Sequence, residues 1–182
     1  MRLFFISADG QRGLSSIETT IALGIVSILG SMAMPSMFEL MNHVAIRSER
    51  MALIQDIRVT RFKAISHRRP AYLCALDVQG ACARLSHWNQ GWMGFVDNNL
   101  NGIYDETDEL VVRHAPPQTN KKVDIIFHAR WKNIKFDGRG VLRRSGHFRV
   151  CNPDKAGEQN MLVIRMNTYG RLAIEADELA CT

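Results

Sequence analysis

The hydrophobic pattern divides the chain into two parts with different periodicities. Residues 21–34 (IALGIVSILGSMAM) form an uninterrupted stretch without any charged side chain. An α-helix over residues 14–34 rises roughly 30 Å at about 1.5 Å per residue. That length equals the thickness of the hydrocarbon core of a bilayer. We therefore predict a transmembrane helix over residues 14–34.

Helical spacing of apolar residues continues beyond this stretch. The positions concerned are Met37, Leu40, Met41, Val44, Met51, Ile54, Phe62 and Ile65. Pro35 removes one backbone hydrogen bond, so we predict a helix kink there. The helix should end at about Ser66, because the position before Pro70 disfavours helical geometry. We predict one helix over residues 14–66, the second half of which lies against a sheet.

From Pro70 onward the pattern changes to short alternating runs separated by turn residues. The predicted strands are Tyr72–Leu76, Ala83–Leu85, Gly91–Val96, Glu109–Arg113, Val123–Phe127, Ile134–Phe136, Phe148–Cys151, Met161–Met166 and Arg171–Ile174. Asp137–Gly140 and Asn167–Gly170 are tight-turn signals. The sequence thus predicts an α+β fold in which the long helix packs on an antiparallel β-sheet domain over residues 67–182.

Composition and net charge do not change the predicted division into an N-terminal helix and a β-sheet domain. The 182 residues are 46% hydrophobic and 23% charged, and the net charge is +5. Such a mild excess usually reflects a solvated surface and does not by itself indicate nucleic-acid binding. Salt-sensitive phosphate binding would follow if several basic residues shared one face. The candidates are Arg68, Arg69, Lys121, Lys122, Arg130, Lys132, Lys135, Arg139, Arg143 and Arg144.

The four cysteines, Cys74, Cys82, Cys151 and Cys181, all follow the apolar segment and form no CxxC motif. Two disulfides are expected if this part of the chain is exported, whereas a cytosolic protein would keep four buried thiols. Four cysteines allow three pairings. We predict the pairing of nearest neighbours in sequence, Cys74–Cys82 and Cys151–Cys181.

An acidic stretch between two predicted strands has the spacing of a calcium loop. Asp97, Asn99, Asn101, Gly102, Asp105 and Asp108 fall at positions 1, 3, 5, 6, 9 and 12 of an EF-hand-like pattern. Oxygen ligands at alternate positions suit a hard cation. However, the flanks are strands rather than helices, and Asp108 replaces the longer bidentate glutamate. The alternative is a polar β-hairpin loop in which Asn and Asp favour turn conformations.

The order of signals at the N-terminus differs from that of a secretory signal peptide. Arg12 and Gly13 precede the apolar run, so cleavage after Gly13 would leave the hydrophobic helix on the mature protein. Glu18 is a carboxylate within this helix and requires a partner. Cleavage would create an α-amine on Leu14, about one helical turn away, and a neighbouring subunit would offer another. Alternatively, Glu18 reaches the lipid headgroups.

The segment Gly13–Glu18, with the apolar run and Pro35, resembles the class III leader of type IV pilins and type II secretion pseudopilins. The resemblance implies that residues 1–13 are a leader removed by a prepilin peptidase. It also implies that Leu14 is N-methylated and that Glu18 guides docking into a filament. Two departures are Leu14, where phenylalanine is commoner, and Ser15–Ser16 in place of Thr-Leu.

A second motif narrows the resemblance. The Trp88–Gly102 stretch, with its return strand and the later glycine turn leading to Cys151, is similar to the GspH/FimT family. This implies a minor pilin or pseudopilin, a structural subunit that primes assembly or lies at the tip. Its partners would be other pilins, contacted through the helix. It would begin in the inner membrane with a periplasmic β domain and end in a pilus or a periplasmic filament.

Two alternative functions remain within this family, and one lies outside it. Some FimT-type members bind DNA through a Gly-Arg-x-Arg turn; Gly170 and Arg171 match, but Ala173 replaces the second arginine. Arg143 and Arg144 are further candidate contacts. The same features also suit pseudopilin H of a type II secretion system.

An enzyme is the least supported alternative. The sequence contains no HExxH, GxSxG, Walker or Rossmann pattern, and its histidines are dispersed without metal-ligand spacing. We therefore predict a protein that is not an enzyme and has no cofactor other than the calcium ion considered above.

Overall fold

The computed structural model describes residues 15–115, 123–153 and 161–176; the side chains of residues 32–36, 38, 39, 42, 161 and 162 are outside this description. The chain divides into two compact units, Met1–Leu40 and Met41–Thr182. Helix α1 spans Ser16–His67, which confirms a long helix that ends within one residue of the predicted Ser66; the predicted start, Leu14, lies outside the described residues. It continues through Pro35, and the kink there stays a prediction. After it, Arg68 adopts a left-handed φ of 52°, which ends the helix before Pro70.

Within residues 68–115, 123–153 and 161–176, nine strands follow the helix. They are β1 (Ala71–Leu76), β2 (Cys82–Ala83), β3 (Trp92–Val96), β4 (Glu109–His114), β5 (Asp124–His128), β6 (Asn133–Phe136), β7 (Gly146–Cys151), β8 (Met161–Met166) and β9 (Leu172–Ala176). Each overlaps a predicted strand, and the predicted antiparallel domain is confirmed. The strands form two sheets rather than the one expected. The first has the order β2-β1-β3-β4 with β6 also paired to β1, and the second has the order β5-β7-β8-β9.

Trp88, in the connection between β2 and β3, joins the two sheets. Its backbone N–H donates to the carbonyl of Ile125 at 2.8 Å. Its fully buried indole meets the rings of Phe127 and Phe148 edge-on, at centroid distances of 5.7 and 4.8 Å. Aromatic pairs at such distances add to the energy of burial. The two sheets therefore share one hydrophobic core.

The second half of α1 packs on this core, as predicted, through a face that includes only one of the eight apolar positions noted in the sequence. Its buried residues are Ala45, Ile46, Leu53, Ile54, Ile57, Thr60 and Ala64. Of these eight positions, Ile54 is buried, and the others are exposed: Met37, Leu40, Met41, Val44, Met51, Phe62 and Ile65. Helix α1 therefore has two apolar stripes, and the stripe that contains Ile46, Leu53 and Ile57 faces the core.

Polar side chains of α1 fix its position on the first sheet. Glu49, Asp56 and Lys63 are seven residues apart and lie on one face of the helix. The carboxylate of Glu49 pairs with His114 at 3.0 Å, and Asp56 accepts the indole N–H of Trp92 at 2.8 Å. Lys63 donates to Glu109 at 2.7 Å, which lowers the pKa of that carboxyl below its ordinary value. The three contacts connect the helix to β3 and β4.

Gly94 of β3 lies directly against the Thr60 side chain of α1. A Cβ atom there would lie 2.5 Å from the hydroxyl oxygen of Thr60, 2.9 Å from Val112 and 3.1 Å from Leu73. The pairing of β3 with β4 also shifts register between Gly94 and Phe95. Glycine at this position is therefore a packing requirement.

Gly94→Ala is expected to destabilise the protein by roughly 1–3 kcal/mol, because the added methyl group overfills a packed contact. Urea unfolding of the 182-residue chain in nonionic detergent measures the change. Gly30→Ala is the control, because a Cβ atom at Gly30 meets nothing within 4 Å. The control should lose no stability. Equal stability of Gly94→Ala and the unmodified chain would contradict the packing assignment.

Candidate functional site

Three features are candidate functional surfaces: the N-terminal part of α1, the acidic loop and the turns that carry basic residues. Of the predicted processing site, Gly13 and Leu14 lie outside the described residues. Glu18 is exposed in the first turn of α1. Its backbone N–H donates to the carbonyl of Ser15 at 3.0 Å. A carboxylate at a helix N-terminus is stabilised by the helix dipole.

Large apolar side chains are exposed around all sides of this part of α1. They are Ile17, Ile21, Leu23, Ile25, Val26, Ile28 and Leu29. The hydroxyl groups among them donate within the helix: Thr20 to the carbonyl of Ile17 at 2.8 Å, Ser27 to that of Leu23 at 2.7 Å and Ser31 to that of Ile28 at 2.7 Å. These polar groups therefore need no outside partner.

A membrane span was predicted over residues 14–34. Among the described residues, no helix meets the length and hydropathy needed to cross a membrane. Leu14 and the side chains of residues 32–36 lie outside the description. The predicted span stays a prediction.

The acidic loop connects β3 and β4 and brings the predicted calcium ligands together. Asp97 is buried, with 1% of its surface exposed, and accepts the backbone N–H groups of Asn101 at 3.1 Å and Gly102 at 3.0 Å. Asp108 accepts those of Asn98 at 2.8 Å and Asp105 at 3.2 Å. Both carboxylates therefore satisfy the backbone of the loop itself.

Asp105 is the centre of the exposed part of this loop. It accepts the hydroxyl of Thr107 at 2.6 Å, the backbone N–H of Thr107 at 2.9 Å, and the side-chain amides of Asn99 and Asn101 at 2.7 Å each. These bonds lower the pKa of Asp105 well below its ordinary value of 3.8. A calcium ion would have to displace them. Within the described residues no cluster of His, Cys, Asp or Glu is arranged to hold a metal ion, and the calcium site stays a prediction.

Both predicted tight turns are confirmed, and a third turn has the same construction. Each begins with Asp77, Asp137 or Asn167, whose side-chain oxygen accepts the N–H four residues later at 2.8–2.9 Å. The glycines Gly80, Gly140 and Gly170 lie third after these residues and have φ values of 72–78°. Burial alone would raise the pKa of Asp137, but the N–H groups of Val141 and Arg139 lower it. The three turns therefore have the same hydrogen-bonded conformation, and basic residues lie next to them.

Arg61 of α1 joins two of these turns and was not predicted from the sequence. Its Nε donates to the carbonyl of Gly140 at 2.8 Å, and its Nη2 donates to that of Tyr169 at 3.0 Å. A groove of about 720 Å³ lies here, lined by Arg61, Val141, Asn167, Tyr169 and Arg171. No local pattern in the sequence could have identified Arg61, because both acceptors are backbone atoms distant along the chain.

The predicted DNA-binding residues do not share one cavity. Gly170 and Arg171 belong to the turn beside Arg61. Arg143 and Arg144 line a different cleft, together with Tyr72 on the first sheet. The basic residues therefore form two separate surfaces.

One predicted disulfide is confirmed. Cys74 of β1 and Cys82 of β2 are bonded, with their Cα atoms 5.6 Å apart. The bond closes the turn built on Asp77. Cys181 lies outside the described residues, so the pairing Cys151–Cys181 stays a prediction.

A long N-terminal helix followed by an antiparallel β domain defines a type IV pilin-like subunit. Two crystal forms of the type IV minor pilin FimU of Pseudomonas aeruginosa (strain PAO1) are similar in fold. One has a TM-score of 0.54 and 16% identity, covering 75% of this chain and 90% of that chain. The other has a TM-score of 0.53 and 18% identity, covering 71% and 91%. Among curated proteins, no sequence matches the chain.

The sequence also matches the model of a known protein family. The family model described as Type II transport protein GspH matches residues 49–170, and the chain belongs to the GspH family. Family and fold are those of minor pilins and pseudopilins, the structural subunits of filaments, and not those of enzymes.

Asp105→Asn is expected to destabilise the chain at pH 7, because it removes a carboxylate that four donors stabilise. Since folding lowers the pKa of Asp105, its contribution is complete above the unfolded pKa of about 3.9 and is lost as the pH falls toward the folded pKa. The difference between the variant and the unmodified chain should therefore shrink on acidification below about pH 4. Urea unfolding at a series of pH values measures it.

Glu106→Gln is the matched control, since Glu106 is exposed in the same loop. It changes the charge equally without removing the bonds to Asp105, so stability should stay within about 0.5 kcal/mol. Equal stability of Asp105→Asn and the unmodified chain at pH 7 would contradict the role of this carboxylate.

Proposed function

We propose that this chain is a minor pilin or pseudopilin that polymerises through α1 and primes or caps a filament. The observation that carries the proposal is the apolar surface of α1. From Ile17 to Leu29 its large apolar side chains are exposed in every direction, which an isolated soluble protein does not tolerate. Lipid before assembly and neighbouring helices after assembly would cover that surface.

A second exposed stripe supports packing between helices. Met41, Val44, Met51, Phe62 and Ile65 follow one another at helical spacing on the part of α1 whose other face packs on the sheets. A helix that is apolar on both faces requires two partners. The β domain is one of them, and we assign the other to the helix of an adjacent subunit.

Glu18 gives this assembly a direction. A carboxylate entering an apolar bundle is costly unless it meets a positive charge. Cleavage after Gly13 by a prepilin peptidase would supply the α-amine of Leu14, on the same chain or on a neighbour. The unprocessed chain would then reside in the inner membrane, with its β domain in the periplasm.

Glu18→Gln is expected to reduce incorporation into filaments at least tenfold, because the neutral amide cannot attract the α-amine. The measurement is the amount of the chain in sheared filaments relative to its amount in membranes. Glu106→Gln removes one carboxylate from the β domain and should incorporate normally. Normal incorporation of Glu18→Gln would reject the proposed pairing.

The family description favours a secretion filament, whereas the similar solved structures are pilus subunits. Deletion of the gene distinguishes the two machines. Loss of surface filaments with normal release of exported proteins indicates a pilus, and the reverse indicates type II secretion.

DNA binding is a second candidate function, favoured by the groove beside the Asn167–Gly170 turn. Arg171 is exposed there beside Tyr169, which is 72% exposed. Arg61 donates a hydrogen bond to the backbone carbonyl of Tyr169. A cation next to an exposed aromatic ring suits a nucleic-acid strand, with phosphate on the cation and a base on the ring.

Arg171→Gln is expected to weaken DNA binding by the chain and to reduce its salt slope by about one. Gel shifts at several salt concentrations measure both quantities. Arg113→Gln is the control; Arg113 lies on β4 and donates to the carbonyl of Gly80 at 2.7 Å. Absence of a shift at low salt, or equal weakening by both variants, would reject DNA binding at this groove.

A further inference from the structure

A basic cleft of about 240 Å³ lies on the first sheet, apart from the Arg171 groove. Tyr72 and Trp131 provide its aromatic surfaces, and Arg84, Lys135, Arg143 and Arg144 provide four positive charges. Asn133 adds a neutral amide. In β1, Tyr72 belongs to a small second core with Cys74 and Leu76, whereas Leu73 belongs to the main core beneath α1. The cleft therefore opens on the sheet face turned away from the helix.

The aromatic rings hold two of the cations in place. Tyr72 and Lys135 are direct partners in the β1–β6 register, and the Lys135 Nζ lies 4.7 Å from the centroid of the Tyr72 ring. The same ring stacks on Phe95 at a centroid distance of 5.4 Å. Arg144 lies over Trp131 at 4.1 Å. Cation–π contacts of this kind restrict the cations before any ligand arrives.

The backbone also contributes to this arrangement. The N–H of Arg143 donates to the carbonyl of Lys135 at 3.2 Å, which holds the segment after the Asp137 turn beside β6. An isolated bridge between Phe136 and Leu142 supports the same approach. Lys135 and Arg143 therefore lie on neighbouring segments that are hydrogen-bonded to each other.

The four positive charges of the cleft are not neutralised by acidic side chains of its described lining. Its lining includes no carboxylate among the described residues. Four cations around a small volume repel one another, and a bound anion would convert that repulsion into attraction. Guanidinium groups match the oxygens of phosphate in bidentate fashion, and an ammonium group adds a point charge.

We propose that this cleft binds a compact ligand bearing phosphate groups, such as a diphosphate or a phosphorylated headgroup. A nucleic-acid strand would use free aromatic faces for base stacking. Here the faces of Tyr72 are taken by Lys135 and Phe95, and Arg144 covers one face of Trp131. The rings therefore position cations, which favours recognition of phosphate itself. This site is independent of filament assembly.

Titration of the 182-residue chain in nonionic detergent, followed by tryptophan fluorescence, tests the proposal. Trp88 and Trp92 are fully buried, whereas 42% of Trp131 is exposed in the cleft. Sodium pyrophosphate and glycerol 3-phosphate are the two probes. A saturable change with either one is expected, and Trp131→Phe should remove the signal while calorimetry still detects binding. Tighter binding of pyrophosphate indicates a free polyphosphate ligand, and tighter binding of glycerol 3-phosphate indicates a headgroup.

Arg144→Gln and Lys135→Gln should each weaken binding about tenfold, the effect of losing one charged hydrogen bond. Arg165→Gln is the charge-matched control on the second sheet, where Arg165 pairs with Glu175 at 2.7 Å. Urea unfolding verifies that all variants are folded. The proposal is overturned by the absence of saturable binding of both probes, or by equal weakening in the control. It is also overturned if oligothymidylate binds in the cleft and pyrophosphate does not displace it.

Discussion

The close packing of the second half of α1 on the first sheet is the constraint from which the rest of the β domain follows. Three polar contacts at seven-residue spacing, from Glu49, Asp56 and Lys63, fix the rotation of the helix. Gly94 sets its distance from the sheet. With rotation and distance both determined, Arg61 lies where its guanidinium reaches the Gly140 and Tyr169 carbonyls. The helix thereby positions two surface turns as well as the core.

The rotation of α1 on the first sheet also determines which of its residues are exposed. Because Ile46, Leu53 and Ile57 face the core, the apolar residues on the opposite side of α1 are turned outward. A monomer gains nothing from exposing Phe62, whose side chain is 65% exposed. In an assembly, such residues add apolar contact area at about 25 cal/mol for each Å² buried. Close packing inside the subunit and a second apolar surface for neighbours therefore have one cause.

The sequence was sufficient to predict the helix, the strands and the tight turns, but not the contacts between segments distant along the chain. The Asp137 and Asn167 turns depend on a side-chain acceptor and a glycine within five residues, so the sequence was sufficient to predict them. The Cys74–Cys82 bond closes a similar short turn. Which face of α1 is buried could not be predicted, because helical spacing alone does not show which of two apolar stripes meets the sheets. The Arg61 contacts and the basic cleft depend on residues from distant segments, which no local pattern relates.

The two faces of the first sheet have different chemistry because alternate residues of a strand point to opposite sides. In β1, Leu73 faces the core under α1, while Tyr72 and its cations face the other way. The exposed stripe of α1 lies on the side of the helix opposite that core. Packing of neighbouring helices on the stripe would therefore leave the basic cleft accessible. Substitutions on the outer sheet face of such a subunit would therefore leave the exposed stripe of α1 unchanged.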